Sequence, residues 1–272
     1  MTNKILWDCH MHSYFSADSE TSMEDMINAA VSQGLTGICF TEHLDPDYPP
    51  TLDALEFSLN LPVYHEELLL LKEKYENKIS VRFGIELGLQ PHLGTYFSSL
   101  IHKYPFDFVI GSSHVVHGKD PYYPDYFDGR REEQAYREYF QSILENIEAF
   151  SEMDVYGHID YVVRYGPDKN KNYSYQAFRD ILDEILRSLI QKGIGIELNT
   201  GGYHYGLGEP NPSADVIRRY RQLGGEIITV GADAHTTDKV AFAFLKAADV
   251  LRQCGFRYYT VFENRKPVFL SL

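Results

Sequence analysis

The sequence has 272 residues, 44% of them hydrophobic and 24% charged, which are the proportions of an ordinary soluble globular protein with a sizeable core. Its formal net charge of −14 argues against a nucleic-acid partner or an anionic membrane surface, since both require clustered Lys and Arg. The three cysteines form no CxxC pair and are too few for a disulfide scaffold, so we expect reduced thiols. No signal-like stretch and no apolar run of about 18 residues occurs, which predicts a cytoplasmic protein without a membrane partner.

Apolar runs typical of strands alternate along the chain with longer segments of helical periodicity. The predicted strands cover residues 4–10, 34–43, 78–87, 106–114, 154–163, 193–202 and 226–235. The predicted helices cover residues 22–33, 62–77, 131–152, 174–191, 213–223 and 238–254. This alternation of strand and helix is typical of a parallel sheet covered by helices.

Seven such units favour an α/β fold, a distorted seven-stranded (β/α)7 barrel, as one domain over residues 1–272. An open doubly wound sheet is the alternative, although no Gly-rich phosphate loop follows the first strand. Residues 118–134 are rich in turn formers and predict a functional loop. Residues 258–272 predict a terminal hairpin or a strand that closes the fold. Cys9 and Cys39 lie inside apolar strands, where we expect them to be small core residues.

Metal-capable side chains follow almost every predicted strand. In a barrel the C-terminal ends of the strands face one shared bowl, so these side chains are expected to meet there. Imidazole and carboxylate ligands together suit Zn, Fe and Mn, and their number implies two or three divalent ions. The candidate ligands are His10, His12, Asp18, His43, Glu86, His114, His158, Asp233 and His235. Within an extended strand, residues two apart point the same way, which would pair His10 with His12 and Asp233 with His235.

The order of these segments resembles the PHP (polymerase and histidinol phosphatase) family, most closely its histidinol-phosphate phosphatases. The matching segments are "DCHMHSYFSAD", "TEH", "GIELG", "GSSH", "GHIDYVVRYG", "ELNTGG", "EPNPS", "GADAH" and "FENRKPV". They span almost the whole chain. The resemblance implies a barrel of the PHP type with its metal site at the C-terminal ends of the strands.

The resemblance also implies which residues share each ion of a trinuclear centre. One ion would be held by His10, His12, Glu86 and Asp233. Glu86 would bridge to a second ion on His114 and His158, and Asp18, His43 and His235 would hold the third. Asp233 and His235 would thus take part in catalysis as well.

The implied activity is metal-dependent hydrolysis of a phosphate monoester, L-histidinol phosphate, to L-histidinol and phosphate in histidine biosynthesis. Two alternatives remain open: a related phosphoesterase acting on nucleotides or phosphotyrosine, and a metal-dependent binding module without turnover. The implied partner is a small-molecule phosphate ester. The sequence does not indicate an oligomeric state.

Four further residues are candidates for catalysis or substrate binding. The guanidinium of Arg164 would suit bidentate contact with phosphate, and its alternative is a surface ion pair. His117 and His204 follow strand ends and could orient the substrate or protonate the leaving alkoxide, or be ordinary loop histidines. Glu209 could meet the substrate's ammonium, or form part of a turn.

Other polar residues near the strand ends have weaker assignments. Glu197 and Asn199 could hold ligand imidazoles in the required tautomer. Strand alternation places Glu42 on the face opposite to His43, as a contact with the helix layer. The tyrosines of the turn-rich loop could form a lid over an imidazole ring, or a packed surface loop: Tyr122, Tyr123 and Tyr126.

Overall fold

A parallel sheet of seven strands curves into a barrel. The structure is a computed structural model that describes residues 5–50 and 55–272. The strands are β1 Trp7–Met11, β2 Gly37–Phe40, β3 His43–Leu44, β4 Ser80–Gly88, β5 Phe108–Ser112, β6 Val155–Tyr156, β7 Gly195–Asn199 and β8 Ile228–Gly231. Because β2 and β3 both pair with β4, they are two halves of one strand broken at residues 41–42.

The barrel closes between its first and last strands at the C-terminal end. Every neighbour along the order β1-β2-β4-β5-β6-β7-β8 is parallel. The amide of His12 donates to the carbonyl of Ala234 at 2.9 Å, and the amide of Asp233 donates to the carbonyl of His10 at 2.8 Å. The predicted seven-stranded barrel is therefore confirmed, and the open sheet is wrong.

In the described ranges, seven helices cover the outside of the barrel, and one of only four residues lies at the C-terminal ends of the strands. They are α1 Met23–Ser32, α2 Leu61–Tyr75, α3 Gly94–Ile101, α4 Glu132–Ala149, α5 Arg179–Lys192, α6 Gly201–His204, α7 Ala214–Gln222 and α8 Phe244–Gln253. Helix α1 begins where Ser22 accepts a hydrogen bond from the amide of Asp25 at 3.1 Å. Its buried residues recur at helical spacing, which turns one apolar face to the sheet: Met23, Met26, Ile27 and Ala30.

The strands are buried on both faces, as a sheet between a packed barrel interior and a helix layer requires. Every residue of β5 and of β7 is buried. Cys9 and Cys39 are each 3% exposed and belong to this core, as predicted. Within the described ranges, no helix combines the length and the apolar character needed to cross a bilayer.

The predicted C-terminal hairpin is confirmed and covers the end of the barrel opposite to the strand C-termini. Strands β9 Tyr258–Glu263 and β10 Lys266–Ser271 pair antiparallel. The two residues between them, Asn264 and Arg265, have φ of 50° and 64°, as a tight two-residue hairpin loop of type I′ requires. Asp107, just before β5, anchors this turn by accepting from the amide of Asn264 at 3.0 Å.

Candidate metal centre and its cavity

Four predicted ligands meet where β1, β4 and β8 end. The Nε2 atoms of His10 and His12 are 3.1 Å apart. The Glu86 Oε2 atom lies 3.1 Å from the first of them and 3.5 Å from the second. Asp233 Oδ1 lies 3.5 Å from both. Four donor atoms thus surround one point, in the grouping that the family resemblance implied.

Glu86 joins this group to a second one. Its Oε1 atom faces the Nε2 atoms of His158 at 3.0 Å and His114 at 3.4 Å, and it accepts from Ser112 Oγ at 2.6 Å. Oε2 faces the first group and also His43 Nδ1 at 3.1 Å. A carboxylate with each oxygen directed at a different histidine group is placed to bridge two cations.

The third group lies nearer to solvent. His235 Nε2 is 3.1 Å from Asp18 Oδ2, and His43 Nε2 is 3.7 Å from the same oxygen. The imidazole of His12 stacks against both His43 and His235, with ring centroids 4.1 and 4.3 Å away, and the centroids of His43 and His235 are 5.8 Å apart. The structure therefore brings all nine predicted ligands together in three adjoining groups.

The donor set fits divalent cations. Nδ1 of His43 and Nε2 of His235 are buried ring nitrogens that make no hydrogen bond, although each lies near a carboxylate. Leaving such atoms unpaired in a protein interior is costly, whereas a cation between nitrogen and carboxylate would satisfy both. Mixed imidazole and carboxylate donors suit Zn, Fe or Mn.

Buried charges at the site shift pKa values in both directions. Burial opposes ionisation of Glu86 and Asp233, but the histidines around them outweigh it and hold the pKa of both carboxyls well below the usual range. Burial, together with neighbouring imidazoles, holds the pKa of His12 well below the usual range. These two effects leave lone pairs free for metal, because a ligand must be deprotonated. Burial opposes protonation of His10 and His114, but the neighbouring carboxylates outweigh it and hold the pKa of both imidazoles well above the usual value, so a cation that binds there would displace a proton.

A hydrogen-bonded chain beneath the site orients His12 and corrects the prediction for Glu42. The Ser16 hydroxyl donates to Glu42 Oε2 at 2.6 Å and lies 3.0 Å from His12 Nδ1, which fixes the proton on Nδ1 and leaves Nε2 free. Glu42 is 0% exposed and also accepts from Ser13. The predicted helix-layer contact is wrong because the strand breaks at residues 41–42, so alternation does not carry through.

Two more carboxylates hold ligand imidazoles from behind. Glu197 Oε1 lies 2.6 Å from His10 Nδ1, in the role expected for it. Asp45 Oδ1 lies 2.7 Å from His114 Nδ1 and turns Nε2 toward Glu86. The sequence did not indicate Asp45, although its position two residues after the ligand His43 was a usable signal.

Arg164 is buried at the centre of a polar network. Its Nη1 donates to Asp233 Oδ2 at 3.1 Å, Nη2 to Asn199 Oδ1 at 2.9 Å and Nε to Asn211 Oδ1 at 2.8 Å. At 3% exposure it is not a surface ion pair. The route differs from the prediction: β6 ends at Tyr156, and a 3₁₀ turn over Tyr161–Arg164 places the guanidinium at the cavity.

Asp233 and His235 reach the site differently from the prediction. Strand β8 ends at Gly231, before both ligands. Asp233 has φ of 57°, in the left-handed region that aspartate tolerates better than most residues. The chain therefore bends at Asp233, and extended-strand alternation does not explain why this pair converges.

A cavity opens above the three groups and is walled largely by aromatic rings. The described residues of its wall include Tyr48, Phe57, Tyr122, Tyr123, Tyr161, Tyr165, Tyr205 and Phe242. Tyr122 and Tyr123 belong to the loop predicted to be functional. Tyr126 is 0% exposed and packs in the core, so it is not part of a lid.

The structure separates the remaining candidates. His204 lies on the cavity wall, close to the rings of Tyr205 and Phe242. His117 does not line the cavity: its side chain is 61% exposed and its Nδ1 lies 2.9 Å from Glu138. Glu209 is also absent from the described wall. Its Oε2 accepts from the amide of Ala214 at the start of α7, and its Oε1 accepts from Asn170 Nδ2, each at 3.4 Å.

A parallel α/β barrel whose strand C-termini carry three joined His/Asp/Glu groups is the architecture of a metal-dependent barrel enzyme. The chain belongs to the PHP domain family, whose family model matches residues 8–201.

Proteins named as histidinol-phosphatases match this chain over nearly its whole length. A histidinol-phosphatase of Lactococcus lactis is 35% identical over 260 residues, which are 95% of each chain. A probable histidinol-phosphatase of Clostridium acetobutylicum is 30% identical and covers 98% of this chain and 97% of its own. A crystal structure of histidinol phosphate phosphatase from Lactococcus lactis, complexed with zinc, L-histidinol and phosphate, matches with a TM-score of 0.90 at 34% identity. The match covers 97% of this chain and 99% of that one.

Proposed function

We infer that this chain is a metal-dependent phosphomonoesterase that hydrolyses L-histidinol phosphate to L-histidinol and phosphate. The observation that carries this inference is the likeness over the full fold to a histidinol phosphate phosphatase crystallised with zinc, L-histidinol and phosphate. The three groups of His, Asp and Glu side chains beneath one cavity supply the ligands that a metal-dependent phosphatase requires.

Three divalent ions, of Zn, Fe or Mn, are the proposed cofactors. His10, His12, Glu86 and Asp233 would hold the first ion, and Glu86 would share the second with His114 and His158. Asp18, His43 and His235 would hold the third. Bound there, divalent cations would neutralise phosphoryl charge and lower the pKa of a water beside them. The joined geometry of the groups supports this proposal.

The side chains of this chain supply binding and orientation. Three N–H groups of Arg164 point at Asp233, Asn199 and Asn211, and the remaining two are free to donate to phosphoryl oxygens. His204, on the cavity wall, is the proposed second contact with the phosphate ester. The water oxygen forms a new bond to phosphorus as the bond from phosphorus to the alkyl oxygen breaks. One proton of the water goes to the alkyl oxygen and the other remains on the phosphate, so the products are the alcohol and phosphate.

We also propose that residues 1–272 form one PHP domain that works in the cytoplasm. The family match ends at residue 201, but β8 supplies the strand that completes the barrel and leads to two of the ligands. The three cysteines are free and buried, in accord with a reducing compartment.

A panel of phosphate esters tests the proposed function. With Zn, Fe or Mn supplied, kcat/KM for L-histidinol phosphate should exceed that for a nucleotide and for phosphotyrosine by about tenfold or more. Chelation should abolish turnover of all three. Equal kcat/KM values across the panel would reduce the assignment to a general metallophosphatase, and no phosphate release with any metal would contradict it altogether.

A further inference from the structure

The acidic residues that line the cavity differ in the partners they face. Asp18 faces His235 at 3.1 Å, Asp45 faces His114 at 2.7 Å and Asp233 faces Arg164 at 3.1 Å. Asp120 also lines the cavity. Within the described ranges, no Lys, Arg or His nitrogen lies within the 4.0 Å of Asp120 that defines an ion pair. Among the acidic residues that line the cavity, Asp120 alone has no cationic partner within the described ranges.

Neutral donors hold the Asp120 carboxylate in place. Tyr48 Oη donates to Oδ2 at 2.5 Å, Tyr161 Oη donates to Oδ1 at 3.2 Å, and the amide of Tyr122 donates to Oδ1 at 2.7 Å. A carboxylate can accept about four hydrogen bonds, so at least one acceptor position remains. Asp120 is only 5% exposed, and burying a carboxylate without a counter-charge is costly.

Tyr161 links Asp120 to the metal centre. Its hydroxyl touches Asp120, and its ring lies 5.1 Å from that of His158 and 5.6 Å from that of His114. The carboxylate therefore stands about one tyrosine side chain away from the second donor group. A short molecule with phosphate at one end and a cation at the other can span this interval.

Aromatic rings surround the space between Asp120 and the group formed by His114 and His158. The ring of Tyr165 lies 5.0 Å from that of Tyr161 and 5.3 Å from that of Tyr122. Tyrosine faces attract cations, and a water-poor aromatic wall strengthens an adjacent carboxylate–cation pair.

We propose that Asp120 is the specificity-determining residue for the end of the substrate opposite to the phosphate, where it accepts a hydrogen bond from a positively charged nitrogen. The proposal rests on the proposed function, because L-histidinol phosphate carries both an ammonium and an imidazole at that end. Either group can donate an N–H hydrogen bond to the Asp120 carboxylate, which has no cationic partner within the described ranges. Asp120 takes the recognition role that the sequence suggested for Glu209.

The test compares substrates in Asp120→Asn, which keeps the shape of the side chain and removes its charge. We expect the ratio of kcat/KM for L-histidinol phosphate to that for propyl phosphate to fall on the order of 10²-fold. Asp125→Asn is the matched control: it makes the same change in the same loop, at a side chain that is 58% exposed and pairs with Lys119. Its ratio should equal that of the wild type.

Two partial substrates identify the nitrogen. One is an aminoalkyl phosphate that lacks the imidazole, and the other is an imidazolylalkyl phosphate that lacks the ammonium. The partner of Asp120 is the group whose ester loses kcat/KM in Asp120→Asn relative to propyl phosphate. If neither ester loses kcat/KM, the proposal is wrong.

The outcomes distinguish a failure of the proposed function from a failure of the proposal for Asp120. A wild type that does not prefer L-histidinol phosphate over propyl phosphate contradicts the proposed function. A wild-type preference that persists in Asp120→Asn leaves that function intact and removes Asp120 from it. If Asp120→Asn shows no cooperative thermal transition, the test uses Asp120→Glu instead. Glutamate retains the negative charge but moves it, so this variant must lower the same ratio. Inhibition by L-histidinol should weaken in parallel.

Discussion

Arg164 connects the last residue of β7 with two loops, and its shape matters as much as its charge. Lysine at this position keeps the charge but cannot reach Asn199, Asn211 and Asp233 together. We expect Arg164→Lys to lower kcat/KM by about 10²-fold or more. Metal content should not change, because Arg164 binds Asp233 Oδ2 whereas Oδ1 faces the histidines. Steady-state kinetics and elemental analysis are the measurements.

The control for this prediction is Arg137→Lys, an exposed arginine that pairs with Asp180. It should have wild-type kinetics. If Arg164→Lys were equally active, the three hydrogen bonds would have no part in phosphate binding.

Side-chain chemistry near the strand ends was enough to predict that these nine metal-capable residues lie together, because the C-terminal ends of barrel strands face one shared bowl. It was not enough to find their supports. Asp45, Asp120 and Asn211 act through contacts with residues 41 to 72 positions away along the chain. Spacing within one strand carries no information on such pairs.

The break between β2 and β3 is the element on which the orientation of His12 depends. It directs Glu42 under the site, where Ser16 donates to Glu42 and accepts from the amide of His43 at 3.0 Å. Ser16→Ala removes the acceptor for the Nδ1 proton of His12. We expect metal affinity to fall about tenfold or more, measured by competition with a chelator. Ser32→Ala, an exposed serine at the end of α1, should leave affinity unchanged.

The burial of Asp154 beside the hairpin of β9 and β10 makes barrel stability depend on pH. Asp154, just before β6, accepts from Arg265 Nε at 2.6 Å and from the amide of Val109 at 2.8 Å. Burial nevertheless raises the pKa of Asp154 from 3.8 to about 6. Since the folded state binds this proton more tightly than the unfolded state, the contribution is present below about pH 4 and is lost as pH rises through about 6.

The wild type should therefore lose stability relative to Asp154→Asn between about pH 4 and pH 6, by roughly 2 to 3 kcal/mol. Urea unfolding of both proteins at each pH gives the difference directly. A difference that does not vary with pH would mean that Asp154 titrates alike in the folded and unfolded states.

The boundaries of helices and strands were least predictable where one apolar run contains both a strand and a buried helical turn. The run over residues 154–163 predicts one strand, but only Val155–Tyr156 is strand, and Val162 and Val163 lie in a 3₁₀ turn. Helix α3, Gly94–Ile101, was not predicted, because it begins with glycine and is only 8 residues long. Longer helices such as α4 have enough turns for their period to be recognised.

For the molecule as a whole, the metal centre and the closure of the barrel are one feature. The amides of His12 and Asp233 form the hydrogen bonds that join the first and last strands. Ligand binding to the folded state alone raises the free energy of opening at the site. We expect chelation to speed hydrogen exchange at these two amides by about tenfold or more.

The amides that pair β9 with β10 are the internal control, because the hairpin lies at the other end of the barrel. Their exchange rates should stay within about twofold on chelation. Uniform acceleration at both ends would indicate global destabilisation rather than local opening of the junction. Unchanged exchange at His12 and Asp233 would mean that metal and closure are independent.

The alternating pattern predicted the barrel because each βαβ unit has one favoured arrangement, and seven of them leave few alternatives. What closes the barrel was not predictable in this way. The bend at Asp233 depends on a left-handed backbone and a hydrogen bond to His10, at opposite ends of the chain.

The same junction sets the time at which the centre can form during synthesis. The ribosome makes His10 and His12 more than 200 residues before Asp233 and His235. A nascent chain that has not reached these two has histidines but no closed barrel, so it can hold cations only loosely. We therefore expect the centre to form only after residue 235 has been made, and a chain that terminates before residue 233 to lack activity.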